Sequence, residues 1–135
     1  MSAPIELLKN VPLFRNVPDK QLKQLAEEMV ERRFTEGQAL TGEGRGGVGF
    51  FVLGEGTANV TVDGEDRRTL GPGDYFGEIA LIDGGLRTAT ITATSDGVAW
   101  GLTPWQFRPL VETHAEIAWP LLEAMAARTR ELEQR

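Results

Sequence analysis

Gly71-Pro72-Gly73-Asp74-Tyr75-Phe76-Gly77-Glu78-Ile79-Ala80-Leu81, followed after a glycine-containing turn by Leu86-Arg87-Thr88-Ala89-Thr90, stands apart from the rest of the 135 residues. It places a glycine-rich turn, one short helical turn and a returning segment with a lone arginine between two strand-like runs. Gly77 lets the backbone come close to a bound group, and the free N–H groups opening the Glu78-Ile79-Ala80-Leu81 turn can point at an anion. Arg87 adds a permanent charge whose planar fork matches two phosphate oxygens. Glu78 is the odd member, because a carboxylate beside a phosphate is repelled. It makes sense as an acceptor for a sugar hydroxyl that also pairs with Arg87 when the site is empty. Thr88 offers a hydroxyl toward a phosphate or a base edge, and Ala89 keeps the wall thin.

Outward from this cassette, the chain reads as strands and turns. Upstream, glycines from Gly37 to Gly64 interrupt short apolar runs. Phe50, Phe51, Val52 and Leu53 suit a strand buried on both faces, whereas Ala58, Val60 and Val62 alternate with polar residues as in a half-exposed strand. Asp63-Gly64 is a hairpin turn, since both residues tolerate positive φ, and the next strand runs through Arg67 to Leu70. Downstream, Ala89, Ile91 and Ala93 alternate with threonines, and Val98, Trp100 and Leu102 alternate with Ala99 and Gly101. Short, evenly spaced strands without intervening helices argue for an antiparallel barrel or jelly roll.

Helices flank the strands. Leu22, Leu25, Ala26 and Met29 recur on one face and predict a helix from about Pro18 to Val30. A shorter helix is expected from Pro4 to Lys9, with Ser2 available to cap it. Thr103-Pro104-Trp105-Gln106 is a helix start with a capping box, and Phe107, Leu110 and Val111 form its buried face. The last helical pattern carries Ile117, Leu121, Leu122, Met125, Thr129 and Leu132, with Pro120 marking a kink or its first turn. A single domain over 1–135 follows: N-terminal helices in 1–33, a β-roll in 34–103 holding the cassette at 71–90, and C-terminal helices in 104–135.

Composition narrows the function. The balance of 14 basic and 20 acidic residues gives a net charge of −6, so the protein as a whole repels nucleic acid and anionic membrane, and any bound anion needs a local positive site. With no cysteine there is no thiolate nucleophile or cysteine metal site, and the single histidine, His114, excludes a multi-histidine centre. His114 reads as a capping or surface group. No signal-like or membrane-spanning run stands out, which fits a cytoplasmic protein. The three tryptophans, Trp100, Trp105 and Trp119, read as core or helix-packing residues, with a lid or dimer seam as the other role for Trp119.

The cassette resembles the phosphate-binding cassette of the cyclic nucleotide-binding domain family. The likeness rests on Gly71, Gly73, Asp74, Phe76, Gly77, Glu78, Ala80, Leu81, Arg87, Thr88 and Ala89 in the family's order and spacing, and flanking features extend it over nearly the whole chain. Leu86 stands where the family often has proline, and Gly46-Gly47-Val48-Gly49 replaces a more polar turn. The resemblance implies a mainly β fold with flanking helices, an eight-stranded antiparallel jelly-roll barrel with an N-terminal helical segment and C-terminal hinge and lid helices. It also implies that Glu78 binds the ribose 2′-hydroxyl and Arg87 the cyclic phosphate, with help from the amides of Gly77, Ile79, Ala80 and Ala89 and with Phe76 and Thr88 in the site. The later part of the last helix would close over the base, with the base contacts coming from Arg128 to Leu132 or from a second copy of the chain.

The expected function is therefore a regulatory sensor of cyclic AMP or cyclic GMP, with the base left open by Thr88 and with no metal or other cofactor. Its partners would be the nucleotide, an effector protein or a second copy of the chain, and neither nucleic acid nor membrane. The competing readings are plainer. Arg87 alone could be a solvated arginine pairing with Asp83 or Glu78, and Glu78 alone an acid at a helix start. The fold could also serve only as a scaffold for protein interaction. A hydrolase is disfavoured, because the chain lacks a nucleophile–base pair.

Overall fold

The computed structural model describes residues 3–41, 49–83 and 89–134. Helix α1 (Ile5–Lys9) leads through one tight turn at Pro12–Phe14 into α2 (Asp19–Glu28). Eight strands follow: β1 (Val30–Phe34), β2 (Ala39–Thr41), β3 (Phe50–Glu55), β4 (Ala58–Val62), β5 (Glu65–Leu70), β6 (Tyr75–Phe76), β7 (Thr90–Ala93) and β8 (Gly97–Leu102). Helix α3 (Ala80–Asp83) falls between β6 and β7, and α4 (Pro104–Thr113) and α5 (Ala115–Glu133) complete the fold.

Among the described residues the strands form two antiparallel four-stranded sheets, ordered β1-β8-β3-β6 and β2-β7-β4-β5. The expected eight strands are present, arranged as two sheets rather than one closed ring of hydrogen bonds. Their facing sides share a core: Phe34, Leu53 and Ala99 from the first sheet meet Ala58, Val60, Leu70, Ile91 and Ala93 from the second.

The alternation along β3 explains why the helices sit where they do. Leu53 points into the core between the sheets, whereas Phe50 and Val52 point the other way, into a second core made with the helices. Trp100 and Leu102 of β8 lie beside them, and Leu8, Leu22, Leu25, Phe107 and Ile117 close over this outer face. Phe14 meets Phe50 edge to face, with ring centroids 5.6 Å apart. Each such fully buried apolar side chain contributes roughly 1.5–3 kcal/mol through burial. The apolar run Phe50–Leu53 is thus a strand covered on both sides, as its composition predicts.

Several boundaries shift. Helix α2 ends at Glu28 because Met29 is already extended (ψ 144°), and Val30, read as the helix end, opens β1. The β region therefore begins before Phe34. Pro4 flanks α1 without a side-chain cap, and the proposed cap Ser2 lies outside the described residues. Pro120 sits inside α5, which continues through it. Trp100 is buried, but Trp105 and Trp119 are each 66% exposed, which corrects their reading as core residues. Helix α5 buries Ile117, Pro120, Leu121 and Ala124, and that choice of face turns Trp119 toward solvent.

Candidate functional site

The cassette is held to the first sheet at its beginning. Pro72 and Gly73 occupy the centre of a tight turn in which Gly73 has φ 89°, the conformation that glycine adopts without steric cost. Asp74 N–H donates to the Gly71 carbonyl at 3.0 Å, and the Asp74 carboxylate accepts from Gly71 N–H at 2.8 Å. The turn is pinned to β3 by Gly73 N–H donating to the Leu53 carbonyl and Leu53 N–H donating to the Asp74 carbonyl. Tyr75 and Phe76 then pair with Val52 and Phe51 as β6.

Gly77, at φ 88°, bends the chain off this strand and delivers Glu78 to the floor of a cavity of about 600 Å³. It is lined by Tyr75 to Ala80 and Asp83, by Ala124, Met125, Ala127, Arg128 and Glu131 of α5, and by Pro12, Leu13, Arg15 and Arg68. Glu78 is buried, one of two buried polar residues among those described. Its Oε1 accepts from Arg128 Nη1 at 2.9 Å. Burial raises the Tyr75 pKa above its ordinary 10.0, and the Glu78 carboxylate pushes it further in the same direction, while Arg128 and Arg68 oppose the shift. The tyrosine hydroxyl stays protonated at neutral pH, available as a donor.

Of the residues singled out in the sequence, Phe76, Gly77, Glu78, Ile79 and Ala80 all line this cavity. Ala89 is buried in the core between the sheets at the entrance to β7. Arg87 and Thr88 lie outside the described residues. Arg15, Arg68 and Tyr75 also line the cavity, though no ligand role was expected of them, and Arg128, expected over the base, lines it as well. Arg128 had a readable signal, because it follows Leu121 and Ala124 at helical spacing and so shares the inward face of α5. Arg15 and Arg68 had none, as each is an exposed residue brought to the cavity by the turn and sheet that carry it. The described wall sets three arginines, Arg15, Arg68 and Arg128, against three acids, Glu78, Asp83 and Glu131, so its formal charges balance where the protein as a whole carries −6.

The cassette side of this cavity lies within a segment that matches a known family. A family model described as the cyclic nucleotide-binding domain matches residues 31–114, from β1 to the end of α4. The chain belongs to the cyclic nucleotide-binding domain family. Members of this family of regulatory ligand-binding domains occur within larger proteins. The chain is 31% identical over 107 residues to the cAMP-dependent protein kinase type II regulatory subunit of Drosophila melanogaster, covering 79% of this chain and 28% of that protein. It spans between 10% and 28% of the length of the curated relatives it matches.

Solved structures agree. The N-terminal domain of a transcriptional regulator from Streptomyces coelicolor A3(2) superposes with a TM-score of 0.86 at 32% identity, covering 95% of each chain. The regulatory domain of Toxoplasma gondii PKA, co-crystallised with cAMP, superposes with a TM-score of 0.71 at 31% identity, covering 82% of this chain and 44% of that one. Among the described residues, no helix is long and apolar enough to cross a membrane.

Proposed function

We propose that this cyclic nucleotide-binding domain takes cyclic AMP or cyclic GMP into the cavity between the cassette and α5, and acts as a sensor without catalysis of its own. The observation that carries this reading is the buried Glu78 carboxylate on the cavity floor, one residue after a glycine whose positive φ aims it there. Burying a carboxylate is costly unless its oxygens are engaged, so a group held in this way is suited to accept from a ligand hydroxyl. Glu78 takes the ribose 2′-hydroxyl, Arg87 pairs with the cyclic phosphate, and the amides of Gly77, Ile79, Ala80 and Ala89 add donors around it. Phe76 and Thr88 complete the pocket. The family match and the cAMP-bound relative support this assignment.

Helix α5 is the natural moving part. Its inner face lines the cavity beside the ligand groups, while α4 joins it to the sheet, so α4 serves as the hinge and α5 as the lid. Ligand contacts that differ between two positions of α5 would shift their populations, and that shift is the output.

Titration calorimetry of the whole chain with cyclic AMP, cyclic GMP and linear 5′-AMP tests the reading. Saturable binding of a cyclic nucleotide in preference to the linear one is expected, with the cyclic nucleotide recovered intact. Absence of heat with both cyclic nucleotides would reduce the fold to a scaffold, and recovery of a linear product would make it an enzyme.

A further inference from the structure

The formal charges around the cavity balance, but their pairing does not. Glu78 holds Arg128 at 2.9 Å and Asp83 has an interaction of its own, so among the described residues Glu131 alone stands against Arg15 and Arg68. Neither of these two arginines makes an ion pair or a side-chain hydrogen bond with any described residue. Arg33, Arg67 and Arg108, by contrast, each stand against a glutamate close by in the chain. An exposed arginine is well solvated without a partner, so the lack of one assigns nothing by itself. What gives these two a role is their place. Arg15 caps the tight turn Pro12–Phe14 and Arg68 lies in β5, two elements separate from the cassette, yet both line the same cavity. The charge of Arg68 is felt at Tyr75 on the cavity wall, where it opposes the rise in the tyrosine pKa. At about 600 Å³ the cavity stands in the middle of the range of small-molecule sites, roughly 300–1,000 Å³, with room beyond a single nucleotide.

We propose that Arg15 and Arg68 form a second anion subsite in this cavity, and that the ligand class it admits is the cyclic dinucleotide, whose ring carries two phosphodiesters. This rests on the cyclic nucleotide reading of the cassette. A cyclic mononucleotide brings one phosphate, which the cassette takes, and leaves Arg15 and Arg68 without an anion. A 3′,5′-linked cyclic dinucleotide keeps what the cassette needs: each phosphate is a singly charged diester, and each ribose has a free 2′-hydroxyl for Glu78. Its second phosphate then meets guanidinium forks that supply paired donors and permanent charge. The protein's net charge of −6 repels a dianion more than a monoanion, so such a ligand requires a second local cation site, and these two arginines supply it.

Calorimetry on the whole chain compares cyclic di-AMP and cyclic di-GMP with the cyclic mononucleotide of the same base, so that the base cancels from each ratio of affinities. At least one dinucleotide should bind about tenfold tighter than its mononucleotide, the scale of a hydrogen bond to a charged group. Arg15→Gln and Arg68→Gln should each cut that ratio, and the double variant should bring it to one. Added salt should lower the ratio in the wild type more than in the double variant. A wild-type ratio of one or below overturns the proposal and leaves the mononucleotide reading standing. A loss shared equally by mononucleotide and dinucleotide also overturns it, and in Arg68→Gln would assign that arginine to a base edge. Uptake of a dinucleotide alone, abolished in the double variant, would keep the second subsite and overturn the mononucleotide reading. A chain that takes up none of these ligands refutes both.

Discussion

Gln21 Nε2 donates a hydrogen bond to Glu116 Oε1 at 3.2 Å, joining α2 to the first turn of α5. The Glu116 backbone N–H and the Gln21 amide hold the Glu116 carboxyl below its ordinary 4.5, with His114 and Lys20 helping and desolvation opposing. Because the folded value is depressed, the stabilisation is fully present above about pH 4.5 and is lost as pH falls through the folded pKa. The expected outcome is a steeper loss of urea midpoint between pH 7 and pH 3 in the wild type than in Glu116→Gln. Parallel losses would show that this group does not couple the helices to pH.

The start of α4 depends on a reciprocal pair. Thr103 Oγ1 accepts from Gln106 N–H at 3.3 Å, and Gln106 Oε1 accepts from Thr103 N–H at 3.0 Å. Gln106 Nε2 also donates to the Glu28 carbonyl at 3.2 Å, linking α4 to the end of α2. Thr103→Ala should cost about 1 kcal/mol of stability by chemical denaturation. Gln106→Ala should cost more, since it removes the box and the link together.

This box could be read directly from Thr103-Pro104-Trp105-Gln106, as could the turn at Asp63 and Gly64, where φ is 53° and 79°. Such features are local, and their chemistry lies within a few residues. The start of β1 was hidden because Val30–Phe34 is an edge strand with Glu31, Arg32 and Arg33 at its centre, a polar pattern that continues smoothly from α2. Trp119 was misplaced because an apolar residue on an amphipathic helix does not state which face will be covered. Glu78 could be singled out from its neighbours along the chain. Arg128 could be placed on the closing end of the last helix, but its pairing with Glu78 could not be read, because that contact exists only once α5 has packed against the cassette.

Gly77 separates β6 from Glu78 at φ 88°, a conformation that costs a residue with a Cβ roughly 1–2 kcal/mol. In Gly77→Ala the relief of that strain would move the adjacent carboxylate. Gly64→Ala is the matched control: Gly64 has φ 79°, with nothing within 4 Å of an added Cβ, and lies in the β4–β5 hairpin. Both variants should lose comparable stability in thermal unfolding, but only Gly77→Ala should lose cyclic AMP affinity. Equal affinities in the two would remove Gly77 from the site.

Arg87 is assigned the phosphate from its position in the cassette, so its contribution should show both in magnitude and in character. Arg87→Ala should weaken cyclic AMP binding by roughly 1.5–3 kcal/mol, the range for hydrogen bonds to a charged group, with circular dichroism unchanged. Arg87→Lys keeps the charge but not the planar fork, so it should fall between the wild type and alanine. Salt separates charge from shape. If the guanidinium meets a phosphate anion, raising ionic strength should weaken the wild type and the lysine variant more than the alanine variant, because screening acts on a charge that alanine lacks. A salt dependence common to all three proteins would assign the anion contact to other residues around the cavity, with Arg15, Arg68 and Arg128 the cations on its described wall.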